Sequence, residues 1–210
     1  MLRTTKNMKD KYEKIQNLIF SLIPEKWEEI YLYASVVGNK KDKLNGELFF
    51  YYLPKSLLKK KPVNVYEVPQ KFNINEEQYL EIVKELYNCI KDLKQDFIDT
   101  EQDLWTNITI SIVDSKFKIE FNYDALPMNE KESQERHIIW RYKYLKIGGD
   151  KKEERKILDN YFATNDKEKA EYYETEICVQ TENNAVEFDK EDVLKFISLR
   201  RKDDEQWKIV

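Results

Sequence analysis

Asn107–Tyr123 reads NITISIVDSKFKIEFNY, and this stretch decides the fold. Ile108, Ile110 and Ile112 alternate with Thr109, Ser111 and Val113. After Asp114-Ser115, Phe117, Ile119, Phe121 and Tyr123 alternate with Lys118, Glu120 and Asn122. Successive strand side chains point to opposite faces, so a period of two gathers the apolar set on one side. Two such runs around a polar turn make a β-hairpin with one apolar and one mixed face, as in a sheet covered on one side.

Toward the N-terminus, Asn75 stands as a helix cap with Gln78 three residues on, in the manner of a capping box. Behind it Tyr79, Val83, Leu86, Ile90, Leu93 and Phe97 recur in steps of four and three, which is a helix. Its last turn runs into Asp96, Asp99, Glu101 and Asp103. Carboxylates at a helix C-terminus oppose the macrodipole, so something other than local helix stability placed them there.

Further upstream, Tyr12, Ile15, Leu18, Ile19 and Leu22 give a helix over Lys9–Leu22, stopped by Pro24. Trp27–Val37 alternates as a strand, with Ile30, Leu32, Ala34 and Val36 on one side and Glu29, Tyr31, Tyr33 and Ser35 on the other. The polar loop Gly38–Gly46 leads to a strand over Glu47–Leu53. The basic loop Pro54–Pro62, PKSLLKKKP, leads to a short strand, Val63–Val68, closed by Pro69.

Downstream, Arg136–Gly148 reads RHIIWRYKYLKIG. Trp140, Tyr144 and Ile147 form one apolar stripe, and Ile138, Tyr142 and Leu145 a second. Two stripes describe a helix buried on two sides, with Arg141, Lys143 and Lys146 reaching out from its rim. The order is then α-β-β-β-α-β-β-α. Strands in runs, without regular βα alternation, predict an α+β fold: a mainly antiparallel sheet of about five strands with helices packed on it. Residues 151–210 add a helix (Lys151–Phe162), a hairpin (Tyr172–Thr181 and Ala185–Phe188) and a helix capped by Asp189 (Asp189–Arg201). Gly149-Asp150 is the natural seam, dividing a domain over 1–148 from an extension over 149–210 expected to pack on it.

Composition narrows the function. The chain has 210 residues, a net charge of −4 and 13% aromatics. That is enough for one core, is unlike a disordered chain, and lacks the overall basic footprint of a nucleic-acid binder. The most acidic run is Asp166–Asp192. Two isolated cysteines, Cys89 and Cys178, suit a reducing compartment. The first residues lack the apolar core of a signal peptide, and no apolar run reaches the length of a membrane span. A cytoplasmic protein is expected.

The usual chemistries find little footing. One histidine, His137, cannot build a two-histidine metal site, and HExxH and paired Cys/His spacings are missing. No GxSxG turn offers His137 a nucleophile. Phosphate-binding glycine loops are absent, and no carboxylate pair stands out among 40 acidic residues. No enzyme, metal or cofactor is expected. Physics alone leads to an interaction module.

Several segments, in order, resemble the YezG family of immunity proteins: IPEKWEEIYLYA (Ile23–Ala34), LFFYYLP (Leu48–Pro54), VPQKFNIN (Val68–Asn75), LWTNITISI (Leu104–Ile112), KFKIEFNYD (Lys116–Asp124) and ERHIIWRYKYLKIG (Glu135–Gly148). The likeness covers about residues 8–148. It implies a cytoplasmic protein that neutralises a secreted polymorphic toxin, typically a nuclease, by stoichiometric binding. The tail Lys151–Val210 is longer than the family leads one to expect, and the loop Gly38–Gly46 differs.

A nuclease cleft attracts phosphates, so a carboxylate-rich surface complements it. The expected contacts are Asp99, Glu101, Asp103 and Trp105 after the long helix, and Asp124, Glu130 and Glu132 after the hairpin. The alternative is a nucleic-acid or regulatory module using the basic segments 54–62 and 141–146.

Overall fold

The computed structural model describes residues 3–38, 44–55, 61–127, 129–164 and 171–176. The fold is α+β, with an antiparallel sheet between two helical layers. Helix α1 (Lys6–Ser21) begins three residues before the expected start at Lys9, because the Thr5 hydroxyl accepts the Met8 N–H at 3.2 Å. Strands β1 (Trp27–Ser35) and β2 (Leu48–Pro54) pair antiparallel. Gly46 sits where a Cβ would lie 1.8 Å from the Ser35 carbonyl oxygen, so only glycine lets the chain return this close to β1.

One predicted element changes character. Val63–Val68, read as a strand, pairs with β2 only over β3 (Val63–Asn64). The Asn64 side chain then accepts the Tyr66 N–H and turns the chain into a 3₁₀ turn (Val65–Glu67) and a short helix, α2 (Val68–Phe72). Pro69 sits in the first turn of that helix, where it was read as closing a strand. Its missing N–H costs nothing in a first helical turn.

Helix α3 (Glu76–Asp99) follows its Asn75 cap, whose side chain accepts the Gln78 N–H. All six periodic residues from Tyr79 to Phe97 are buried. Strands β4 (Asn107–Val113) and β5 (Lys116–Asn122) form the expected hairpin in register Ile110↔Ile119. Asp114 and Ser115 both take positive φ, 49° and 61°, as a two-residue hairpin turn of matching twist requires.

Asn129 caps α4 (Glu130–Leu145), and α5 (Lys152–Thr164) packs on α4. Strand β6 (Glu171–Glu176) then pairs with β5, giving the order β3-β2-β1-β4-β5-β6. The sixth strand therefore comes from the region after residue 148. The second hairpin arm Ala185–Phe188, the helix Asp189–Arg201 and Cys178 lie outside the described residues, as do most of the acidic run Asp166–Asp192 and residues 39–43 and 56–60.

Helices α1 and α3 cover one sheet face, where Ile30, Leu32, Phe50, Tyr52, Ile110 and Phe121 form the main core. The other face is not bare, as the hairpin alone suggested. Tyr33, Phe49 and Tyr51 from β1 and β2 pack against Trp140 and Leu145 of α4. The second face of β4–β5 carries Thr109, Ser111, Lys118 and Glu120, so α4 seats on the tyrosine side.

Candidate partner-binding site

The predicted contacts gather at one end of the sheet. β1 ends there, β4 begins there beside the close of β5, α3 ends there and α4 starts there. Thr106 joins the two acidic stretches: its hydroxyl donates to the Asp124 carbonyl at 2.7 Å and its N–H to Asn122 O at 2.8 Å.

Helix α3 closes with a left-handed residue. The Gln102 N–H reaches Phe97 O and the Glu101 N–H reaches Ile98 O, with Glu101 at φ 53°. This hydrogen-bond pair satisfies the last carbonyls of a helix and usually has glycine at the left-handed position. A glutamate there is held in a conformation that its Cβ disfavours. Arg3 fastens the turn from the N-terminus, its backbone N–H on Gln102 Oε1 at 2.8 Å and its guanidinium on Thr100 O at 2.9 Å.

The acids divide by what holds them. Asp96 is engaged within the protein, taking Asn7 Nδ2 and Lys11 Nζ at 2.7 Å each. Glu130 and Glu132 stand in the first turn of α4, where carboxylates favour the helix dipole. Glu130 is exposed and Glu132 half-buried. Asp99 is exposed and accepts a bond from Gln95. Glu101, Asp103 and Asp124 are exposed, and none of their carboxylates joins an ion pair among the described residues.

Trp105 lies in the core, 0% exposed, with ring centroids 6.1 Å from Phe97 and 6.0 Å from Phe121. It supports the turn and does not reach its surface. The residue before it takes the outer place: Leu104 is 40% exposed, flanked by Asp103 and close in sequence to Glu101. Nothing in the sequence ranked Leu104 above Trp105, since both precede the strand periodicity of β4.

A second residue missed in the sequence is Lys94, 3% exposed. Its ammonium donates to the carbonyls of Val36 and Trp105 and lies 5.1 Å from the centre of the Trp105 ring. Burial pulls its pKa down to about 8. The lysine ties the end of β1 to the turn after α3. Its position was legible: it lies four residues after Ile90 and three before Phe97, on the buried stripe.

His137 is a packing residue. Its ring stacks 4.2 Å from Phe49, and Nε2 is hydrogen-bonded to the Tyr51 hydroxyl at 2.9 Å. Burial, and then the Arg141 charge, lower its pKa to about 4. The basic segment 141–146 folds back on its own surroundings. Arg141 pairs with Glu154 at 3.4 Å, Lys143 donates to the Tyr161 hydroxyl at 3.3 Å and Lys146 donates to Lys143 O. Of the segment 54–62, residues 56–60 lie outside the described residues. Among the described residues, no three His, Cys, Asp or Glu side chains come together as a metal site, and no helix is long and apolar enough to cross a membrane.

A family model described as "Immunity protein YezG-like" matches residues 8–159. The chain is 29% identical to the Immunity protein YezG of Bacillus spizizenii over 77% of its own length and 97% of that protein. It is 27% identical to the Immunity protein YezG of Bacillus subtilis, over 73% of this chain and 98% of the relative. It is also 27% identical to the Type VII secretion system protein EsaG of Staphylococcus aureus, over 53% of this chain and 65% of that protein.

Proposed function

The chain belongs to the YezG-like immunity protein family, and on that footing we propose that it binds a cognate toxin in the cytoplasm and neutralises it one to one, without turnover. The toxin domain is a nuclease. Its cleft carries the positive potential that draws in phosphates, and the acidic turn after α3 is complementary to it. Opposite charge of this kind raises association rates toward about 10⁸–10⁹ M⁻¹s⁻¹ at low salt.

The observation that carries the site is the turn Asp99–Leu104. It places an exposed leucine beside carboxylates that join no ion pair among the described residues, one of them on a left-handed glutamate where glycine would cost the fold less. Apolar contact at the centre and charge at the rim is the ordinary anatomy of an interface.

The test is co-expression. The toxin domain encoded next to this protein is produced with and without it, and survival and one-to-one co-purification are scored. Rescue with a stable complex supports the inhibitor. Undiminished killing with no complex removes it.

A further inference from the structure

The polar second face of β4–β5 gives α4 no apolar seat, and a cleft of about 180 Å³ is left between them. That is below the roughly 300–1,000 Å³ of a small-molecule or cofactor pocket, and it suits a single amino-acid side chain. Ile139 and Trp140 of α4 and Leu126 at the lip give it apolar walls. Asn107 and Asn122, a cross-strand pair, line its sheet side together with Tyr33.

Two polar groups in this lining are unspent. Asn107 donates through Nδ2 to Thr106, which leaves its Oδ1. Asn122 accepts the Asp124 N–H through Oδ1, which leaves its Nδ2. The formal charges of the lining cancel, with Arg136 and Lys143 against Glu120 and Asp124. Arg136 is matched to Glu47 at 2.6 Å and Glu120 to Lys118 at 2.7 Å. The cleft therefore selects no ion. It asks for an apolar ring or stem that ends in a group able both to donate and to accept.

We propose that this cleft is the anchor pocket for one tyrosine side chain of the toxin. The ring lies between Trp140, Ile139 and Leu126, and the hydroxyl donates to Asn107 Oδ1 and accepts from Asn122 Nδ2. The proposal rests on the immunity reading above. Asp124 lines the cleft and is bonded to Thr106, two residues after Leu104, so the pocket lies next to the acidic turn. Buried aromatic anchors in small pockets are where binding energy concentrates. A phenylalanine in the same place leaves the two asparagine groups covered and unpaired, whereas water meets them in the free protein.

The full chain is titrated with the toxin domain encoded next to it, as the unsubstituted protein, as Leu126→Trp, which fills the cleft from its lip, and as Asn107→Leu, which removes the acceptor from its floor. The expected result is a Kd weakened roughly thirtyfold or more by each change, with melting temperatures near that of the unsubstituted protein. In the unsubstituted complex, NMR contacts run from the Trp140 indole and the Asn122 side-chain amide to a toxin tyrosine ring, and these contacts decide alone if the variants fail to fold. If the complex forms but both folded variants bind as tightly as the parent, or no toxin ring is seen at Trp140, the anchor is overturned and the inhibitor reading stands. If the unsubstituted protein binds no toxin domain, the immunity reading falls and takes the pocket assignment with it.

Discussion

Leu104 and Trp105 are neighbours in the chain and face opposite ways, Leu104 40% exposed and Trp105 fully buried against Phe97 and Phe121. Their substitutions should separate binding from stability. Leu104→Ala is expected to weaken toxin binding about tenfold and to leave unfolding within about 0.5 kcal/mol. Trp105→Ala is expected to cost about 3–5 kcal/mol of stability. Calorimetric titration and urea unfolding of the two variants read both effects.

Reversing Asp99, Glu101 and Asp103 together to lysine should slow association at low salt and flatten its salt dependence, as stopped-flow mixing over a range of ionic strength will measure. Rates that do not change at low salt exclude this turn from the interface. Glu101→Gly is the sharper single change. It relieves the left-handed backbone at φ 53°, so stability is expected to hold or to rise by up to about 1 kcal/mol while association slows.

Lys94→Ala strips the carbonyls of Val36 and Trp105 of their donor and leaves a void below the turn. The expected loss is about 2–4 kcal/mol, from two buried acceptors left unpaired and the packing removed. An unfolding midpoint equal to the parent's would show that water takes the place of the ammonium without cost.

His137 sets an acid limit. Its pKa is about 4 in the folded protein and near 6.5 when unfolded, so between these values the unfolded chain binds the extra proton. Stability should therefore fall as pH drops from 6.5 toward 4, by about 1–2 kcal/mol, allowing for the ring's partial contact with solvent. His137→Gln should flatten that part of the stability profile, measured by denaturant unfolding at each pH. An unchanged slope would assign the acid sensitivity elsewhere.

Most of the fold was legible because most of it rests on periodicity. The stripe from Tyr79 to Phe97 and the alternation through Ile108–Phe121 each specify an element and its buried face. The Val63–Val68 segment misled because its apolar composition suits a strand, while a side-chain bond from Asn64 turned the backbone. The covering of the second sheet face was less visible, since Tyr33 shares its side of the strand with Glu29 and Ser35, and only α4 placed on it shows that side to be buried. At the candidate site Asp99, Glu101 and Asp103 could be named from their conflict with the helix dipole. The choice between Leu104 and Trp105 could not, because a turn residue's direction is set by long-range bonds such as those of Lys94 and Arg3.

The turn after α3 is anchored from beneath by main-chain carbonyls, and no side chain between Asp99 and Leu104 contributes to a strand ladder. Its outward residues are thus free to vary while the sheet stays as it is. A protein built this way can follow a drifting adversary by exchanging a few surface letters, with its architecture as an unchanging handle behind them.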